Sequence, residues 1–581
     1  MTEQLRAHAS TVLLALALGL VGALLAAGPG FAGLTEALPG YENDDSRNAV
    51  YLHHQVHEAL MDGRLDLSDP HQFFPTGTPL LQLHGGNILE FIVSGIARSL
   101  LPWPLWLSVA ALAWIPLNLM AFVPLGLRLW ERRGPALAAA TAWAMLPVLT
   151  GQIAAGRLTQ VALIGLPIAV LGLLDVAERG GRRAWLLAGV GMALTGMGYW
   201  FHAQFLVLLT PFFAWRAVRT RGLRPASLDL GSAAVVTLLL VSPWMLAVAW
   251  PRVMGTWTPQ PPMTAEFMSP VFADALQLSG SQPRGLQGWL PGVVAVGALL
   301  GLWRGHRRAL WLSCALVCTI FALGPAQDIG GTRWLLPSFP LWRWVPGFDR
   351  MLHPDRWLEV GGLFFVLLAG EGLARLPGRA AWAAWALPLG ITGQQLWSGA
   401  LPLGSWTFDV PAVWQAVADR PETGAIAVVP VLGSQRTCAW QHIHGRPLLG
   451  GMLENQPGAL PPEQRTFLSE SPLLVDLWAL GRETGRIETP WQVDLDALHA
   501  AGFDTVVLDR TAWGEGPPRR GDPERAITAA LGPPVASVRD GAVWTLPTVG
   551  RAGTPATVRT LKLEGPPGAD PRGDANPGPA P

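Results

Sequence analysis

Five short arginine clusters punctuate the apolar sequence before about residue 397, and all five fall on one side if each apolar stretch crosses a bilayer. They are Arg128/Arg132/Arg133, Arg179/Arg182/Arg183, Arg216/Arg219/Arg221/Arg224, Arg304/Arg307/Arg308 and Arg375/Arg379. Short loops rich in arginine stay on the cytoplasmic side of a membrane, so the clusters fix both a membrane setting and an orientation. The longest loops then lie on the exported side, and they carry most of the acidic, histidine and glycine-proline signals. Functional residues are expected on that exported face.

Composition agrees with this reading. Of 581 residues, 50% are hydrophobic and 14% charged, with 28 Trp, outside the usual soluble range. Basic and acidic residues balance, and Lys562 is the only lysine. No basic block lies outside the loop clusters, which argues against a nucleic-acid partner. Cys314 and Cys318 sit one helical turn apart in an apolar segment and Cys438 stands alone, so no disulfide framework is implied. The opening residues, Arg6 followed by the apolar run 11–28, have the form of a cleavable signal peptide. The run is longer than a usual signal core and the topology works with it retained, so it is read as the first span, amino end cytoplasmic.

A span needs about 20 apolar residues. Further candidates are 102–129, 135–150, 160–176, 184–199, 201–215, 230–250, 289–303, 310–324, 358–373 and 380–395. The fold class expected is a polytopic α-helical membrane protein with about eleven transmembrane helices and a small exported α/β domain at its C-terminal end. The division is 1–397 for the membrane part, 398–550 for the α/β domain and 551–581 for a disordered Pro/Gly-rich tail. Inside the first exported loop, residues 47–60 place Arg47, Tyr51, His54 and Glu58 on one helical face, an amphipathic helix for the membrane surface. Residues 88–100 read as an interfacial helix. In the α/β domain, 425–431 and 505–508 read as buried strands, and 410–418 and 494–501 as helices.

The strongest local feature is Tyr41-Glu42-Asn43-Asp44-Asp45-Ser46-Arg47. Three carboxylates within four residues repel one another, which calls for a bound partner, a catalytic role or plain hydration. The plain alternative has Asp44 or Asp45 capping the helix that follows. Arg157, Arg333, Arg350 and Arg356 fall on the exported side, where orientation does not require arginine. A planar guanidinium suits a phosphate, and the structural alternative for Arg350 and Arg356 is ion pairing with Asp349 and Asp355. His53 and His57 have the spacing of a two-ligand helix face, but no other metal-binding pattern accompanies them. His202 and Gln204, beside Tyr199 at a tight exported turn, either line a polar cavity or meet interfacial water. Glu90 and Glu359 stand at apolar boundaries as paired or snorkelling carboxylates.

The order of these features resembles membrane-embedded glycosyltransferases of the GT-C class. The order runs from an acidic first loop through a surface helix to Phe73-Phe74-Pro75-Thr76-Gly77-Thr78-Pro79-Leu80. Gly151-Gln152-Ile153-Ala154-Ala155-Gly156-Arg157 and Phe348-Asp349-Arg350-Met351-Leu352-His353-Pro354-Asp355-Arg356 follow. The resemblance implies a lipid-linked sugar donor, a polyprenyl phosphate, and an exported acceptor. It implies that Asp44 or Asp45 is catalytic, as a general base or through a divalent metal ion, and both Glu42-Asn43-Asp44 and Asp44-Asp45 fit the acidic pair. Substrate binding is expected from Arg47, His54, Arg157, His202, Arg350, His353 and Arg356. The expected setting is a bacterial inner (plasma) membrane, with membrane lipid as a partner. Rival classes are a transporter or flippase for a lipid-linked substrate, which inverted repeats or broken charged spans would favour, and a non-catalytic scaffold. Reporter fusions at Gly222 and Gly445 are expected to land in opposite compartments; a shared compartment would overturn the topology.

Overall fold

The computed structural model describes residues 2–63, 68–79, 87–253, 291–329, 332–345, 348, 351, 353–430, 437–452, 462–471, 474–475, 477, 495–513 and 523–546. Most of the loop expected to be ordered at 251–288, the expected tail 551–581 and Arg350 lie outside the described residues. The chain forms two compact units. One holds Met1–Ala49, His84–Val248 and Pro262–Phe408; the other holds Val50–Leu83, Ala249–Pro261 and Asp409–Pro581.

The first unit is helical. Among the described residues, the apolar stretches singled out above are mostly helix, from Thr2–Ala27 through Leu105–Trp130, Arg182–Gly198 and Trp200–Arg221 to Trp357–Leu373 and Ala386–Ser398. Five helices among the described residues are long and apolar enough to cross a membrane, and a pair bent by 41°, Arg133–Ala144 with Pro147–Ala154, makes a sixth. The others are shorter. Trp357–Leu373 has 17 residues, about 26 Å of helix against a hydrocarbon layer of about 30 Å. Close approach between helices comes from small residues. A Cβ on Gly172 would lie 2.1 Å from the Ala188 backbone nitrogen, and one on Gly191 would lie 2.2 Å from that of Ala169, so Gly165–Glu178 and Arg182–Gly198 touch backbone to backbone.

The arginine clusters are more than orientation signals, because carboxylates at the same helix ends gather them. Glu178 accepts from Arg128 at 3.0 Å, Arg216 at 2.9 Å and Arg307 at 2.8 Å. Arg128 also binds Asp175 at 2.7 Å. Glu371, buried near the end of Trp357–Leu373, accepts from the Arg307 backbone N–H at 3.1 Å and Trp311 Nε1 at 3.2 Å. Arg132 donates to the terminal carbonyls of Ala374 and Leu376. One end of the helical unit is thus stitched by charge-assisted bonds between helices distant in sequence.

The second unit is built on a four-stranded sheet in the order Ala425–Val429, Phe503–Asp509, Gly541–Thr545, Ala536–Val538. The first pair is parallel and the other two are antiparallel. Val429, Val506, Leu508 and Trp544 form its core together with Leu449, Leu468 and Phe73. The helix Asp44–Met61, expected on the membrane surface, buries Val50, Tyr51, Leu52, Val56 and Ala59. Tyr51 OH donates to Asp69, which also accepts from Gln72 Nε2 at 2.9 Å. The 50–79 part of the first loop therefore belongs to the same compact unit as the sheet, and Phe73 fills a place in its core.

Three guanidiniums on one largely buried carboxylate should be worth more than a surface pair, which contributes about 0–1 kcal/mol. Glu178→Gln is expected to lower stability by about 2–3 kcal/mol, read as a fall in the thermal midpoint in detergent. An unchanged midpoint would mean that these arginines are held by water alone.

Candidate active site

The acidic segment is placed by its own turn chemistry. Asn43 caps Asp44–Met61: its Oδ1 accepts from the Ser46 N–H at 2.8 Å, and Ser46 Oγ accepts from the Asn43 N–H at 2.9 Å. This reciprocal pair satisfies two donors at the helix start. The cap is Asn43, neither Asp44 nor Asp45, so the plain role considered for the two aspartates is already filled. Glu42 binds Arg47 at 3.0 Å, and Asp45 Oδ2 accepts from Arg157 Nε at 2.6 Å.

Arg157 reaches Asp45 because the segment Gly151–Arg157 is pressed against the acidic loop. The Tyr41 N–H donates to the Ala154 carbonyl at 3.0 Å, and Asn43 Nδ2 donates to Ala155 O at 3.3 Å. Gly156 has φ +74°, and a Cβ there would lie 2.4 Å from Ser46 Cα. Only glycine suits both the left-handed backbone and the close approach. Burial alone would lower the Arg157 pKa, but the Asp45 carboxylate outweighs it and holds the guanidinium more firmly charged than usual.

A second layer lies behind Arg157. Glu359, in the first turn of Trp357–Leu373, has no exposed surface. Its Oε1 accepts from Gln152 Nε2 at 2.9 Å, and its Oε2 lies 2.5 Å from His202 Nε2. The Gln160 amide, oriented to satisfy its neighbours, donates to Glu359 Oε1 at 3.0 Å and accepts from Arg356 Nη2 at 3.2 Å. The Arg356 guanidinium lies over the rings of Tyr199 and Phe201, with centroids at 5.3 and 5.9 Å. Tyr199 meets His202 edge-on at 4.9 Å. His353, whose side chain is about half exposed, has its pKa pushed down to about 4, by partial desolvation and then by Arg356, and is neutral at physiological pH. Both Arg157 and Asp45 also act on the His353 charge, so the acidic loop, Arg157, His353, Asp355 and Arg356 share one electrostatic neighbourhood.

Five of the expected residues, Asp45, Arg157, His202, His353 and Arg356, are thus linked by direct or single-residue contacts or by their fields. Arg47 is held by Glu42 in the adjoining turn, and Asp44 is exposed at the helix start. His54 belongs to the second unit, where its ring meets that of His442 at 5.8 Å. Gln152 and Gln160 were not singled out from the sequence individually; the polar residues punctuating an apolar run were the signal that marked them. Among the described residues, no three His, Cys, Asp or Glu side chains gather in a way that would hold a metal ion.

No protein-family model matches the chain, and no curated protein matches it. Its fold does match solved membrane proteins. Over 92% of its length it superposes on the arabinofuranosyltransferase AftD from mycobacteria, with a TM-score of 0.53 and 17% identity. The chain spans 41% of the AftD chain. ArnT from Cupriavidus metallidurans, bound to undecaprenyl phosphate, matches over 93% of this chain and 98% of its own at a TM-score of 0.49 and 12% identity. The chain thus shares its fold with AftD at low sequence identity.

Gly156→Ala should part Asp45 from Arg157 and cost about 1–3 kcal/mol of stability through backbone strain, with a further loss from the Ser46 contact. Gly181, at φ +92° with nothing within 4 Å of a built Cβ, separates the two effects. Gly181→Ala should lower the thermal midpoint clearly less than Gly156→Ala. Equal shifts would show that the Ser46 contact is not tight.

Proposed function

We propose that this chain is a membrane glycosyltransferase that moves a sugar from a polyprenyl-phosphate carrier to an exported acceptor. The observation that carries the reading is the Asp45–Arg157 pair set beside Arg356 at one end of an apolar helical unit. A group that receives a proton and groups that receive an anion thereby stand side by side, and the GT-C fold supplies a setting in which both substrates would meet.

In this reading the acceptor hydroxyl attacks the anomeric carbon. The new C–O bond forms as the bond from that carbon to the phosphate oxygen breaks. Asp45 takes the hydroxyl proton, with Arg157 fixing one of its oxygens so that the carboxylate points one way. The departing phosphate leaves with the bond's electron pair, and Arg356 and Arg157 meet its charge. Arg350, Arg47 and the exposed Asp44 are further candidates for the same surface, Asp44 as the alternative base. His353, neutral beside two arginines, suits a hydrogen bond to a sugar or phosphate oxygen. A divalent metal is the other route by which a loop carboxylate could act, but the described donors do not converge on a metal position, and no step is assigned to one.

The accompanying topology has about eleven crossings, the amino end in the cytoplasm, and the sheet-bearing unit outside a bacterial inner membrane. Inverted repeats or broken spans carrying charges along a path through the helices would favour a flippase. Instead, the described ionised residues gather near helix ends, which favours surface chemistry on a lipid headgroup.

Asp45→Asn is expected to lower transfer about 100-fold in a reconstituted assay with membrane insertion intact. Arg356→Ala should chiefly weaken use of the lipid donor, and Arg356→Lys should restore only part, because an ammonium cannot make the bidentate contact. Parental rates in all three variants would remove the proposed site and leave the scaffold as the better reading.

A further inference from the structure

We infer that Glu359 is the positioning residue that sets both arginines of the site, holding Arg157 through Gln152 and Arg356 through Gln160. The inference rests on the reading of these arginines as the phosphate-receiving groups. Its basis is a branched set of hydrogen bonds with one carboxylate at the fork.

On one branch, Gln152 Nε2 donates to Glu359 Oε1 at 2.9 Å, while the Gln152 carbonyl accepts the Arg157 backbone N–H at 2.9 Å. The residue that carries Arg157 is therefore tied, through one intermediate, to the head of a different helix. On the other branch, the Gln160 amide bridges Glu359 Oε1 at 3.0 Å and Arg356 Nη2 at 3.2 Å. The second carboxylate oxygen is occupied by His202 Nε2 at 2.5 Å. Both oxygens are thus in use, and three segments, 151–157, Leu158–Val161 and Trp200–Arg221, converge on one side chain.

The location adds to the case. A carboxylate with no exposed surface is costly unless fully hydrogen-bonded, and an apolar residue would serve simple packing at this helix position better. A fixed shell behind a binding group keeps that group in the geometry the ligand needs, which a loop arginine cannot do alone. Glu359 touches neither Arg157 nor the proposed phosphate, so its part is positioning, with Gln152 and Gln160 as its two arms.

The test uses the full-length protein in nanodiscs, with undecaprenyl phosphate as the binding probe and phenylglyoxal labelling of individual arginines, read by mass spectrometry, as a report on how firmly each is held. Glu359→Gln presents an N–H where the carboxylate accepted, and is expected to weaken probe binding about tenfold or more while both Arg157 and Arg356 label faster. Gln152→Ala should release Arg157 alone, and Gln160→Leu should release Arg356 alone. This branch-by-branch pattern is one that a general loss of stability does not produce, and the two glutamine variants supply the test if Glu359→Gln fails to fold. Unchanged labelling of both arginines in the folded variants, with the parental protein binding the probe, overturns the inference and leaves the proposed function standing. Branch-specific labelling in a parental protein that does not bind the probe supports Glu359 as the fork and overturns the lipid-phosphate reading instead.

Discussion

A carboxyl group cannot sit without partners at the head of an apolar helix, and Glu359 has no exposed surface. Burying such a polar group costs several kcal/mol unless hydrogen bonds replace the lost water. The replacements come from Gln152, Gln160 and His202, which lie on three different segments. Satisfying one side chain therefore brings together the loop that carries Arg157, the short helix after it and the turn after Tyr199. The arginines follow from that arrangement, and the acidic loop follows from the arginines, because Arg157 fixes Asp45 at 2.6 Å.

The same helix carries a second buried carboxylate, Glu371, twelve residues further on, which is about 18 Å of helix. It joins Glu178 in gathering the arginines of the other end. The two ends use the same residue types to different effect. Around Glu178 the guanidiniums of Arg128, Arg216 and Arg307 are each directed at a carboxylate, which stiffens the bundle. Around Glu359 neutral amides stand between the carboxylate and the arginines. Arg356 is left stacked on aromatic rings with its charge uncancelled by direct pairing to Glu359. A cation held in place but only partly neutralised is what a phosphate site requires.

Much of this was legible in the sequence because the signals are local. Apolar length marked the long helices, and the run 47–60 read as helix from its turn-wise spacing although it buries Val50, Tyr51 and Val56. The strands Ala425–Val429 and Phe503–Asp509 stood out from the apolar residues of 425–431 and 505–508. The hairpin Ala536–Val538 with Gly541–Thr545 escaped, although Asp540-Gly541 is a turn signal, because its flanking strands are short and alternate weakly. The partnership of Phe73 with the sheet at residues 425–545 escaped for a different reason: contacts between residues hundreds of positions apart leave no periodicity to read. Likewise Asp45 and Arg157 were each visible, but their pairing, and the fork at Glu359, depend on glutamines whose roles only the folded chain defines. The arginine clusters were read for orientation alone, since a loop count says nothing of the carboxylates that meet them.

The most direct test is a structure of the full-length protein in nanodiscs with undecaprenyl phosphate. The account predicts density for the phosphate within hydrogen-bond distance of Arg356 or Arg157, with the polyprenyl tail leading away along the apolar helices. Phosphate density at the Glu178 end, or at a surface remote from both arginines, would contradict it.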